Sequence, residues 1–89
     1  MDNIKIVNDA ITLTESRLRD IPDFGIYKSV LRQLSYLLLV LEGGDDNGML
    51  DKVIVGHYAV HEFEESDPEL ASLLKKCQNI AFKLNQSGC

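Results

Sequence analysis

Two histidines, His57 and His61, are the residues whose spacing best suits a metal ion. On a helix, side chains four residues apart share one face, so both imidazoles could hold the same cation. A protease of the H-E-x-x-H type needs a glutamate directly after its first histidine, but Tyr58 stands there and no third histidine or cysteine follows at a recognisable spacing. We interpret the pair as structural histidines at the edge of the core, with a metal site as the weaker alternative.

A run of carboxylates follows the histidines, at Glu62, Glu64, Glu65, Asp67 and Glu69. Such residues could form a catalytic pair or a cation site. Neither is favoured, because no pocket-forming glycines and no second set of polar groups accompany the acids. The run is typical of a solvated junction between helices, and the alternative is an acidic docking surface for another protein.

The other chemically reactive residues form no catalytic arrangement. Cys77 and Cys89 lack the spacing of a metal or redox motif, and we expect the first in the core and the second in a flexible end. No serine lies in a G-x-S-x-G motif. The glycine pair at 43–44 precedes two aspartates, which would repel phosphate. We expect no catalytic residue, no bound metal and no cofactor.

Length and charge restrict the function further. The 89 residues fill one domain, 1–89, and the hydrophobic and charged fractions of 45% and 26% are typical of a folded globular chain. Nine basic against fourteen acidic residues give a net charge of -5. Such a surface repels nucleic acid and anionic membranes, whereas it associates readily with a basic protein surface.

No membrane segment or secretory signal is visible in the sequence. The longest apolar run, at 36–41, is far shorter than the roughly 20 residues that cross a bilayer. The first residues lack a basic region followed by an apolar stretch. We expect the protein in the cytoplasm.

The hydrophobic pattern predicts an all-α fold, a compact bundle of about four helices. Helices are predicted over about 2–20 and 26–42, separated by a turn at Pro22, with Asp23 as a capping residue. The second helix has the strongest core stripe, formed by Val30, Leu31, Leu34, Leu37, Leu38 and Leu41. Tyr36, Leu39 and Val40 lie on another side, which predicts either neighbours on two sides or a face for a partner or a second copy.

A third helix is predicted over about 49–64, after turn-forming residues at 43–48. Consecutive β-branched residues within it also fit a short strand, but we favour helix. On a helical wheel, Asp51, Val55, Tyr58 and Glu62 share one narrow exposed arc. With Glu65 of the acidic run, these residues are our candidates for contact with a partner protein.

The sequence at 66–70 predicts the start of a fourth helix, since it offers a capping oxygen, a proline in the first turn and an acid near the positive helix end. Its core stripe is Leu70, Leu73, Leu74, Cys77, Ile80, Ala81 and Leu84. Phe82 falls outside this stripe, and we interpret it as packing against a chain end, with partner contact as the alternative. We expect Gly56 to permit the close approach of a neighbouring backbone.

The junction between the third and fourth helices also carries a motif, Ala59-Val60-x-Glu62-Phe63-x-Glu65-x-Asp67-Pro68-Glu69-Leu70. It resembles the small bacterial immunity proteins that neutralise NAD(P)+-hydrolysing effectors of the type VI secretion system. Weaker similarity extends through Arg17-Leu18, Pro22, Gln33-Leu34 and Tyr36. The resemblance implies a helical, non-enzymatic protein that binds a cognate toxin and covers its active site against NAD+ or NADP+.

Residue chemistry and resemblance together predict stoichiometric inhibition of a toxin, with Tyr58 and Glu62 as the main anchors. Two alternatives remain. The first is a helical adaptor that dimerises through the face at Tyr36 and recruits an unrelated protein. The second is a small enzyme or metal-binding protein that uses the histidine pair.

Overall fold

The computed structural model describes residues 3–43 and 50–87, without the side chains of Asp51, Gln86 and Ser87. Its elements are α1 (Asn3–Asp20), α2 (Gly25–Leu41), a 3-10 turn (Leu50–Lys52), α3 (Val55–Tyr58), a π-helical turn (Ala59–Phe63) and α4 (Pro68–Ser87). No strand occurs in this part of the chain, and the predicted all-α class is confirmed. The predicted turn at 43–48 lies outside the described residues from residue 44 onwards, as does Cys89.

The core lies where α1 packs against both α2 and α4, and α4 in turn packs against α3. Along α2, Val30, Leu34 and Leu37 are fully buried because spacings of three and four residues keep them on one helix face. Leu39, on the other side, remains 48% exposed. Within the described residues, no helix is both long and apolar enough to cross a membrane.

The third segment is not the single helix predicted over 49–64. Its first α-helical residue is Val55, which follows the 3-10 turn and two non-helical residues. Val53 and Val55 are both buried whereas Ile54 between them is 44% exposed. The backbone at Ile54, with φ -124° and ψ 28°, is neither helical nor extended, so it breaks the helical repeat before α3.

Aromatic packing holds the start of α2, where we expected Asp23 as a cap. The residue before the helix is Phe24, and no side chain caps this end. The Phe24 ring meets Tyr27 and Phe63 edge-on, with ring centroids 5.1 and 6.2 Å away. Tyr27 stacks on Phe63 at 5.5 Å. The expectation for Asp23 was wrong because three rings fix the chain entry where a polar cap was predicted.

Asp67 joins the start of α4 to α1. One of its carboxylate oxygens accepts a hydrogen bond from Arg17 Nε at 2.7 Å, and the other lies 3.5 Å from the backbone nitrogen of Leu70, which donates to it. The hydrogen bond between Arg17 and Asp67 raises the pKa of the Arg17 guanidinium. Asp67 therefore supplies the capping oxygen predicted at 66–70 and also forms an ion pair between elements 50 residues apart in sequence.

Truncation of the α2 stripe tests this core. We expect Leu34→Ala to lower the free energy of unfolding by about 2–5 kcal/mol, because a fully buried leucine leaves a cavity. Leu39→Ala, on the exposed side of the same helix, is the matched control and should lose far less. Urea unfolding followed by circular dichroism measures both. Equal losses would show that the two faces of α2 are wrongly assigned.

Candidate functional site

Of the five candidate contact residues, three lie at the surface on successive turns. Tyr58 is half-buried at the end of α3, and Glu62 and Glu65 are exposed. We call these three residues the α3 surface. Val55 is fully buried, so its predicted place on the exposed arc is wrong: the non-helical residues before α3 break the helical repeat, and Val55 lies in the core with Val53. The side chain of Asp51 lies outside the described residues.

Tyr58 is held by side chains of α2. Its hydroxyl shares a hydrogen bond of 3.3 Å with Ser29 Oγ. Gln33 Nε2 donates to the same Ser29 oxygen at 3.1 Å, and Gln33 Oε1 accepts the backbone N–H of Ile54 at 2.6 Å. Sequence analysis missed Ser29 and Gln33. Their signal was present, because two polar residues four apart border the apolar stripe of α2.

Gln78 of α4 holds the start of α3 from the opposite side. Its Nε2 donates to the carbonyl of Val53 at 2.8 Å, and its Oε1 accepts the N–H of Gly56 at 2.9 Å. A Cβ atom at position 56 would lie 2.8 Å from both Cβ and Cγ of Gln78. Glycine therefore permits the close approach of a side chain, where we had expected a neighbouring backbone.

Three members of the acidic run are paired with cations. Lys75 Nζ donates a hydrogen bond of 2.5 Å to Glu64 Oε1. This bond lowers the pKa of the Glu64 carboxyl group. Asp67 pairs with Arg17, whose Nη2 atom also lies 3.7 Å from Glu69. These carboxylates contribute to the junction of α1, α3 and α4, so this part of the run is structural.

Glu62 and Glu65 differ from the other acids in the run. Neither forms an ion pair with another described residue, and both are exposed. They flank a depression of about 370 Å³ that is lined by Val60, His61, Glu62, Glu64, Glu65 and Ser66. The α3 surface thus presents two exposed carboxylates that no other described residue neutralises, and they are available to a cationic partner.

His57 and His61 are brought together as their spacing predicted. Their ring centroids are 4.3 Å apart, and both residues are exposed. Among the described residues, no group of three or more His, Cys, Asp or Glu side chains is arranged to hold a metal ion. The two imidazoles therefore gain no third ligand from this part of the chain. Two ligands are too few for the usual protein zinc site.

Cys77 lies fully buried in the core, as predicted. Burial raises the pKa of its thiol to about 12. A thiol that stays protonated is a poor nucleophile, so this residue has no role in chemistry at the surface. Phe82, by contrast, is 58% exposed, and the described residues do not cover it against a chain end.

Comparison with known proteins identifies the family. The Tsi6 family model matches residues 2–83. The chain belongs to the Tsi6 family. It is 32% identical over 84 residues to the immune protein Tsi6 of Pseudomonas aeruginosa strain PAO1, covering 93% of this chain and 89% of that protein.

Solved Tsi6 structures share the fold. A chain in the structure of Tse6 in complex with Tsi6 matches with a TM-score of 0.90 and 30% identity, covering 98% of this chain and 94% of the other. The structure of Tsi6 from Pseudomonas aeruginosa matches with a TM-score of 0.86 and 33% identity, at 91% and 85% coverage. The resemblance found in the sequence to a family of immunity proteins is confirmed.

Substitutions at Gln78 and Gly56 test how α3 is fixed. We expect Gln78→Leu to cost about 1–3 kcal/mol of unfolding free energy, since it leaves the Val53 carbonyl and the Gly56 N–H without their partner. Gly56→Ala should also destabilise the fold, because its Cβ would overlap Gln78. Urea unfolding measures both, with Asn79→Leu, at an exposed neighbour, as the control. Wild-type stability of Gln78→Leu would contradict the role of this amide.

Burial of Cys77 predicts a pH dependence. The folded pKa of about 12 lies above the ordinary 9.0, so the protonated thiol contributes stability below pH 9 that is lost as the pH rises towards 12. In a Cys89→Ser background, the parent should therefore lose more unfolding free energy between pH 9 and 12 than its Cys77→Ala variant. Urea unfolding at each pH measures the difference, and parallel curves would contradict it.

Proposed function

We propose that this chain is an immunity protein that binds a cognate toxin and covers the toxin's active site. One observation carries the proposal: nearly the whole chain matches, at a TM-score of 0.90, a chain in the structure of Tse6 in complex with Tsi6. Membership of a family named for an immune protein supports the same role. We further propose that the protein acts as one cytoplasmic domain, by binding and without catalysis.

The electrostatics of the α3 surface support this role. Glu62 and Glu65 are exposed and form no ion pair with another described residue, and the half-buried Tyr58 precedes them by four and seven residues. We propose that the toxin hydrolyses NAD(P)+, as the sequence resemblance implies. An enzyme that binds a dinucleotide needs positive potential around the phosphates, and exposed carboxylates complement that potential without offering a bond to hydrolyse.

The support of Tyr58 fits a binding anchor. Protection from a lethal enzyme requires a dissociation constant of about a nanomolar or tighter, near -12 kcal/mol. Such affinity usually depends on a few anchors, among which tyrosine is frequent. Because Ser29 bonds the Tyr58 hydroxyl and is itself bonded by Gln33, less side-chain freedom is lost when the ring enters an interface.

Two substitutions on the α3 surface test the proposal. We expect Tyr58→Ala and Glu62→Lys each to weaken binding to the toxin encoded beside this chain by about 10-fold or more, as for interface anchors. Glu62 is exposed, so Glu62→Lys should leave the circular-dichroism spectrum and melting temperature nearly unchanged. Tyr58→Ala should retain the helical spectrum. Isothermal titration calorimetry measures affinity, and NAD+ hydrolysis by the toxin measures loss of inhibition.

Glu15→Lys is the matched control, because it makes the same charge change at an exposed position of α1. It should bind as wild type does. Unchanged affinity of both Tyr58→Ala and Glu62→Lys would reject the α3 surface as the contact face. A wild-type chain that neither binds the toxin nor prevents NAD+ loss would reject the function itself.

A further inference from the structure

A groove separates α2 from the 3-10 turn, and its surface is almost wholly apolar. It is lined by Arg32, Gln33, Tyr36, Lys52 and Val53 and has a volume of about 260 Å³. Pockets for drug-sized ligands usually measure about 300–1,000 Å³. The groove therefore suits a large side chain of another protein better than a dinucleotide or another cofactor.

Two cations stand at this groove on a protein whose net charge is -5. Arg32 and Lys52 are exposed, and neither forms an ion pair with another described residue. Arg17 and Lys75, in contrast, are both paired with carboxylates. Since no described carboxylate pairs with these two cations, they can attract carboxylates of a partner.

Apolar surface continues beyond the groove. Leu39, which is 48% exposed, shares a face of α2 with Arg32 and Tyr36, because the three residues are spaced by four and three. Ile54, next to the buried Val53, is 44% exposed. An apolar depression surrounded by exposed aliphatic and charged side chains is typical of a pocket that receives an interface anchor.

The groove is joined to the α3 surface through side chains of α2. Gln33 lines the groove and donates to Ser29, whose hydroxyl shares a hydrogen bond with that of Tyr58. Ser29, Gln33 and Tyr36 are spaced by four and three and so share one face of α2, which places the groove close to Tyr58. Exposed cations therefore stand at the groove near Tyr58, and exposed carboxylates follow Tyr58 in the chain at Glu62 and Glu65.

We propose that the groove receives an apolar side chain of the toxin that is flanked by carboxylates, and that Arg32 and Lys52 bind those carboxylates. The inference rests on the proposed function and extends its contact surface. Opposite charges at the groove and at the α3 surface fix the orientation of a partner that contacts both, because a reversed partner would place like charges together. The toxin's cationic cleft faces the α3 surface, and an acidic, apolar segment beside that cleft enters the groove.

Charge reversal at the groove tests the inference. We expect Arg32→Glu/Lys52→Glu to weaken toxin binding by about 10-fold or more, since like charges then meet across the interface. Arg32→Ala/Lys52→Ala should weaken it less, and its affinity should depend less on salt than that of the wild type. Calorimetry at low and high salt measures each affinity, and circular dichroism establishes that each variant is folded.

The matched control is Arg19→Glu/Lys83→Glu, which makes the same change in net charge at two exposed positions on α1 and α4. It should bind at least about five times more tightly than the groove reversal if local charge matters. Equal losses in both double variants would overturn the inference, because they would show a general effect of net charge. Affinity of the groove variants within twofold of wild type would overturn it too.

Light scattering on the free protein addresses a second copy as the occupant. A wild-type dimer at the concentrations of the binding assay that becomes monomeric in Arg32→Ala/Lys52→Ala would assign the groove to self-association and overturn the inference. If the wild type does not bind the toxin, the proposed function fails as well. If Tyr58→Ala and Glu62→Lys weaken binding while the groove variants do not, only the groove inference fails.

Discussion

The amide of Gln78 fixes the segment on which the proposed binding surface depends. It pairs with the backbone of both Val53 and Gly56, so α4 sets where α3 begins. The α-helical part of this segment, Val55–Tyr58, has only four residues. A helix this short has little stability of its own, because forming the first turn orders several residues for one hydrogen bond. Contacts from neighbouring helices must therefore hold it in place.

The segment is restrained at its other end by Asp67, which pairs with Arg17 of α1 as α4 begins. Gln33 of α2 binds the backbone beside Val53, through the N–H of Ile54. Residues of α1, α2 and α4 thus all contribute to the position of the α3 surface. A surface that is fixed before binding loses less conformational freedom in a complex, so more of the contact energy remains as affinity.

The three long helices were predictable because each repeats its apolar residues at helical spacing over several turns. The break before α3 was not. It depends on the burial of both Val53 and Val55 and on the amides of Gln33 and Gln78, which are distant in sequence. The same break explains why a helical wheel misplaced Val55. The surface positions of Tyr58, Glu62 and Glu65 followed from local pattern, and their contact with a toxin stays a prediction.

The π-helical turn Ala59–Phe63 affects how relatives of this chain can diverge. A π turn holds about one residue more than an α turn, so it is equivalent to an insertion in a regular helix. Removing that residue would rotate the outward side chains that follow by about 100 degrees. Val60, His61 and Glu62 within the turn are exposed, so such a loss need not remove a core residue. A change of length at this turn therefore offers an evolutionary route to a new partner preference while the composition of the interior is preserved.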